Sequence, residues 1–233
     1  MQGWISKLAA ALAVLAVPSG AGAQVAPAVP VSTAPAMSAD LRTIVEAFAP
    51  PALMQTMLGS AMETVYRGRL ASDPEWQKIE RDHPGISEVR IAALKSAVAE
   101  RLPEVQSALQ ADVAAFWSRH STSGEQALFA AYLRTSLPRR MNSGELRPRP
   151  GEMLADALSR QIAETKASAT PVERRREAAF YATPAGGKAN RLTAQYDIES
   201  KARKDEIIGI LMRHAMEKAR AAAQAFIDSR QGS

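Results

Sequence analysis

Between Ile91 and Phe116 the apolar side chains Ile91, Leu94, Val98, Leu102, Val105, Leu109, Val113 and Phe116 recur every three or four residues. At 3.6 residues per turn this spacing puts all of them on one face, so the stretch predicts a long amphipathic helix whose stripe must be buried against other helices. Pro103 stands inside the run. In a straight helix it would remove a hydrogen bond and crowd the carbonyl of Ala99, at a cost of ~3 kcal/mol, which predicts a kink. No other segment alternates apolar and polar residues as a half-buried strand does, and the strand-favouring aromatics amount to only 5% of the chain. The predicted class is all-α, a bundle of helical hairpins without a β-sheet.

The remaining punctuation divides the bundle. Ser38 is placed to cap a helix running to Phe48, and Pro50-Pro51 ends it and opens another through Leu53, Met54, Met57, Leu58, Met62 and Val65. Asp73-Pro74-Glu75 has the order of a helix start, predicting a short helix to about Glu80 before His83-Pro84-Gly85 breaks the chain. Asn142 to Gly151, with two prolines and two glycines, reads as a loop and hinge between halves. The last helix carries Ile207, Ile208, Leu211, Ala215, Ala219, Ala222 and Phe226 on one face, with Arg203, Lys204, Arg213, Lys218 and Arg220 on the others. That stripe is expected to pack on the other helices. The alternatives are a homodimer, a partner's groove or the membrane interface.

The N-terminus reads as an export signal. Lys7 is the positive flank, Leu8 to Val17 an unbroken apolar run, Pro18-Ser19-Gly20 a helix break and Ala21-Gly22-Ala23 a small-residue cleavage site, placing cleavage before Gln24. The run is far short of the ~20 residues that span a bilayer, and nothing later is long and apolar enough. Residues 1–23 are thus expected to be a signal peptide, 24–37 a disordered Pro/Ala-rich linker, and 38–233 the helical domain. The expected address is the periplasm, with secretion as the alternative. Cysteine is absent, which excludes disulfides, thiolate metal sites and a lipid-bearing N-terminal cysteine. Losing the leader takes only Lys7 from a formal charge of +5. The remaining excess suits an anionic envelope polymer, whereas an exported protein is not expected to meet nucleic acid.

Shifting the chain against itself by 48 residues aligns Thr122 with Thr170, Glu125 with Glu173, Ala130-Ala131 with Ala178-Ala179 and Thr135 with Thr183, and sets Tyr132 against Phe180 and Arg140 against Lys188. Both copies open as capping boxes, in which Thr accepts from the third helical N–H and Glu reaches back to the cap. Duplication and coincidence are both open at this point, since two capping boxes before alanine-rich helices can arise independently. The second copy holds the string Phe180-Tyr181-Ala182-Thr183-Pro184-Ala185-Gly186-Gly187-Lys188. Thr183 suits a cap and Pro184 the first helical position, so one helix should end at Tyr181 and the next begin at Pro184. In this corner Phe180 and Tyr181 are expected to be buried, with Gly186 and Gly187 allowing a close backbone approach.

This string, the capped helix before it, the leader and the helical remainder resemble a bacterial secreted family of unknown function, numbered 2059 among such domains. Its signature looks like FY-x-(S/T)-P-x-G-x-K, matched by Phe180, Tyr181, Thr183, Pro184, Gly186 and Lys188, while the first copy departs at Leu133, Ser136 and Pro138. The resemblance covers about residues 114–225. It implies a helical fold and export, and carries no activity.

For chemistry the sequence is sparse. His83, His120 and His214 lie far apart and outside any HExxH spacing, so no metal or cofactor site is expected. No GxSxG or SxxK nucleophile motif occurs, and Ser121 and Ser159 read as ordinary turn and helix serines, so no catalytic residue is assigned. The best anion or partner contacts are Arg174 and Arg175 within Arg174-Arg175-Arg176, and Lys188 beside the helix start at Pro184. Arg139-Arg140 with Arg147 and Arg149 forms a second basic cluster. For each, a solvated face or tight corner is the competing reading. The expected function is a non-catalytic binding or envelope-maintenance module meeting another envelope protein or an anionic polymer. The alternative is a hydrolase with dispersed carboxylates.

Overall fold

The structure, a computed structural model, describes residues 37–50, 54, 63–64, 66–68, 70–143, 149, 152 and 154–231. The expected leader, the linker up to position 36 and much of the second predicted helix lie outside these residues. Met37, assigned to the linker from sequence, packs against the core instead.

Among the described residues there is no strand. Helix α1 (Ala39–Phe48) starts where Ser38 accepts the Leu41 N–H at 3.1 Å. Helix α2 (Pro74–Asp82) is capped by Asp73, whose side chain accepts from Glu75 N at 3.0 Å. Gly85 then turns the chain at φ 92°, a left-handed conformation that favours glycine, and the Glu80 carboxylate accepts from the N–H groups of Gly85 and Ser87. Donors at the start of α3 (Ile86–His120) are thus satisfied by a residue of the preceding helix.

Helix α3 is the long helix read from the apolar period. All eight residues of the stripe are buried, together with Ala97 and Trp117. The chain is helical on both sides of the exposed Pro103, so the proline does not end the helix. The stripe is covered chiefly by α9 (Lys201–Gln231), which runs antiparallel to it: Gly85 meets Phe226 and Glu100 meets His214 and Lys218, while His120 at the far end of α3 meets Glu199, just before α9 begins. Helix α9 buries Ile207, Ile208, Leu211, Ala215, Ala219 and Ala223. Two expectations need correction. Ala223, not Ala222, continues the stripe, and Lys204 is buried at 6% exposure rather than solvated.

Between these two helices the chain forms α4 (Ser123–Leu133), α5 (Ser136–Ser143), α6 (Leu154–Ala167), α7 (Pro171–Tyr181) and α8 (Pro184–Glu199). Asn142 and Ser143, read as loop, complete α5 instead; of the expected hinge, only Arg149 is otherwise described. Phe48 of α1 inserts against Trp117 of α3 and Tyr196 of α8, with ring centroids 5.6 and 5.8 Å away. At the same place the Tyr196 hydroxyl donates to Asp112 at 3.0 Å, and the Lys204 ammonium lies 4.2 Å from the Tyr196 ring centroid. Lys204 also stands 3.8 Å from Asp197, with both side chains under a tenth exposed. Burial, with the Asp112 charge adding to it, pushes the Tyr196 hydroxyl well above its ordinary proton affinity, so it stays a neutral donor.

Candidate functional site, the paired hairpins

The two sequence copies fold into matching hairpins. Helix α4 spans Ser123–Leu133 and α7 Pro171–Tyr181, while α5 begins at Ser136 and α8 at Pro184, so each start in the second copy lies 48 residues beyond its counterpart. Both capping boxes form. The Glu125 N–H donates to Thr122 at 3.3 Å and the Thr122 N–H to Glu125 at 2.8 Å; the same pair at Glu173 and Thr170 measures 3.2 and 2.8 Å. At the two corners the hydroxyls of Thr135 and Thr183 donate to the carbonyls of Tyr132 and Phe180, at 2.8 and 2.7 Å. Gln126 and Arg174, also equivalent, reach back to the carbonyls of Ser121 and Ala169.

The copies contact one another through exchanged partners. Lys188 of the second donates to both oxygens of Glu125 in the first, at 2.9 and 2.8 Å. Arg140 of the first, the counterpart of Lys188, donates to Glu173 of the second at 3.1 Å, and Ser136 adds a hydrogen bond at 2.6 Å. At the centre the equivalent rings Tyr132 and Phe180 stack with centroids 4.3 Å apart and planes 2° from parallel. Exchange of partners between equivalent positions is the signature of a two-fold arrangement, here approximate and within one chain.

The corner string behaves as expected in part. Thr183 accepts from Gly186 N at 3.0 Å, ending one helix and starting the next around Pro184. Gly186 is buried against the end of α7: a Cβ there would lie 2.0 Å from the Phe180 carbonyl oxygen. Gly187 has no such neighbour, only the Arg191 guanidinium at 3.7 Å. Phe180 and Tyr181 are half-buried rather than buried, because they pack on the rim of the Trp117–Phe129–Tyr132 aromatic group. Burial, reinforced by Tyr181, raises the proton affinity of the Tyr132 hydroxyl.

The predicted anion contacts fare differently. Lys188 is held by Glu125, whose carboxyl it pulls below the ordinary range, so this cation answers an internal charge rather than the helix start at Pro184. Arg174 and Arg175 are exposed and donate to the backbone carbonyls of Ala169 and Pro171. The Arg140–Glu173 contact sets α5 beside the first turn of α7, where Glu173 is half-buried and Arg139, Arg174, Arg175 and Arg176 are exposed. Glu173 is held ionised down to about 2, first by the Ser136 hydroxyl and then by the Thr170 N–H. Arg149 instead pairs with Glu164, and Arg147 lies outside the described residues.

Glu63, Glu80, Glu125, Glu152 and Glu173 are each displaced downward by cations or hydrogen-bond donors. That is opposite to the shift a general acid needs at neutral pH. The His120 ring lies against Phe116, tilted 37° with centroids 4.6 Å apart, and His214 lies on α9 facing Glu100, so these two histidines do not converge. Among the described residues no group of three potential ligands could hold a metal ion, and no helix is long and apolar enough to cross a membrane.

Fold and site together define an all-α bundle in which two like hairpins are locked face to face beside an arginine-rich surface. No family of known proteins, no curated protein and no solved structure matches the chain.

Proposed function

We propose that this is a non-catalytic binding module of the bacterial envelope that takes an anionic polymer on the arginine surface of α5 and α7. The observation that carries the reading is the Arg140–Glu173 contact, which joins two arginine runs far apart in sequence. Arg140 pairs with Glu173 there, and the arginines next to them along the chain, Arg139 beside Arg140 and Arg174, Arg175 and Arg176 after Glu173, are exposed. Guanidinium suits phosphate and carboxylate because its planar fork offers paired donors. Support for an address outside the cytoplasm, in the periplasm or beyond, comes from the leader-like N-terminal sequence and from the resemblance to secreted family 2059. The second expected partner, another envelope protein, would use the same surface through acidic side chains.

The test is binding of inorganic polyphosphate to the chain from Gln24 over a salt series. The comparison is a variant carrying Arg139→Ala, Arg174→Ala and Arg175→Ala. Wild type should bind with an affinity that falls steeply as salt rises, by the release of counterions, and the variant should show both weaker binding and a shallower slope. Equal binding by the two proteins would remove the arginine surface from the function.

A further inference from the structure

The two hairpins match in build but not in cover. Helix α4 packs chiefly on α1, whereas α7 packs chiefly on α8, its own hairpin partner. The difference reaches individual positions. Arg134, at the end of α4, donates to Asp40 and Thr43 of α1 at 2.9 and 2.8 Å, and Ala130, one turn earlier on the same side, is 0% exposed. Their counterparts in the second copy, Ala182 and Ala178, are both exposed. Helix α4 buries Gln126, Phe129, Ala130, Tyr132 and Leu133, while α7 buries none of its 11 residues. A helix of that length is marginal in water, and what normally holds it is a packed face. We infer that the side of α7 bearing Ala178 and Ala182 is a seat for an amphipathic helix of another protein, acidic on its polar face and held as α1 is held on α4.

The form of the occupant follows from α1. That helix buries Leu41, Ile44, Val45 and Phe48, spaced as one face, and keeps Arg42 and Glu46 in water; this is how a helix lies in an apolar groove. On α7 the small side chains of Ala178 and Ala182 leave room for such a face, and Tyr181 beside them is half-buried. The charge follows from what borders the seat. Arg174 and Arg175, one turn before Ala178, are exposed and donate to the backbone carbonyls of Ala169 and Pro171, and among the described residues no carboxylate pairs with either. The acids of α7 are already met, Glu173 by Arg140 and Glu177 by Lys166. A second copy of this chain fits poorly, because its own α1 is seated on its own α4 and α7 against α7 would set arginines against arginines. The seat is also distinct from the contact used for the polymer: Ala178 lies about 140° around α7 from Glu173, on the side away from Arg140.

The probes are two peptides of the α1 sequence, residues 38–49, with one apolar face and opposite charge. One carries Arg42→Glu, the other Asp40→Lys with Glu46→Lys. Each is titrated into the isotope-labelled chain from Gln24 and followed by amide chemical shifts. The acidic peptide should shift the amides of residues 174–182 and bind more tightly than the basic one, by on the order of tenfold. Ala178→Arg makes the test decisive by sign. It adds a cation, so unspecific attraction predicts tighter binding of the acidic peptide; it also fills the seat, so docking predicts loss of binding. The position is exposed, and the unfolding midpoint of the variant should stay that of wild type.

No shift with either peptide, equal binding of the two, shifts confined to α4, or undiminished binding of the acidic peptide by Ala178→Arg would each overturn the seat. The titration contains no polyphosphate, so failure of the anion reading and failure of the seat are read separately.

Discussion

Gly186→Ala and Gly187→Ala change adjacent positions of one helix, yet the structure predicts opposite effects. Inside a helix alanine is favoured over glycine by ~1 kcal/mol, so local propensity alone would make both substitutions stabilising. At Gly186 the added carbon would stand 2.0 Å from the Phe180 oxygen, 2.7 Å from the Phe180 carbonyl carbon and 2.9 Å from the Tyr181 Cα. These are backbone atoms of the preceding helix, fixed by the Thr183 N–H and hydroxyl bonds to the same carbonyl, and they cannot turn aside. Opening the corner enough to admit the carbon should cost at least the ~3 kcal/mol at the upper end of ordinary overpacking, leaving a net destabilisation of ~2 kcal/mol. At Gly187 the only neighbour is the end of the Arg191 side chain, which can move, so the propensity gain should survive. Urea unfolding followed by circular dichroism checks both. With a slope of ~2 kcal/mol per molar, the midpoint of Gly186→Ala should fall by ~1 M while that of Gly187→Ala rises slightly. A Gly186→Ala protein as stable as wild type would refute the close approach of the two helices at the corner.

Other substitutions probe separate parts of the fold. Lys204→Met should destabilise the protein by ~3 kcal/mol, because it leaves Asp197 buried without its cation; Lys204→Met with Asp197→Leu should recover most of the loss in the same unfolding assay. Thr122→Ala and Thr170→Ala should each cost ~1 kcal/mol through loss of a cap, and similar values for the two would agree with their equivalent roles. Glu173 is bound more tightly as a carboxylate in the folded protein than in the unfolded chain, so its contribution is full above about 4.5 and is lost as pH falls towards about 2. Thermal unfolding of Glu173→Gln across that window should therefore depend less steeply on pH than wild type.

Much of the fold was legible because its signals are local. Ser38, Asp73, Thr122, Thr170 and Thr183 each cap the helix start read from the sequence, since a cap needs only a short side chain and the next three residues. The α3 stripe was equally plain. Lys204 was misread because periodicity assigns a lysine to the wet face, whereas its burial depends on Tyr196 and Asp197 across the α8–α9 joint. Lys188 was read as a candidate ligand contact because nothing near it in sequence answers its charge. Glu125 does so from 63 residues away. The 48-residue alignment already held the signal, since it pairs Glu125 with Glu173 and Arg140 with Lys188. Only geometry says that each acid serves the other copy's base.

The antiparallel pairing of α3 with α9 also bears on how the chain comes together. Gly85 meets Phe226, so the longest apolar face in the protein is completed by the helix synthesised after all other described elements. Until that helix emerges the stripe lacks its principal cover, and contacts of such wide sequence separation close slowly. The nascent chain therefore carries an adhesive surface for most of its synthesis, and a protein truncated before Ile207 should aggregate rather than fold.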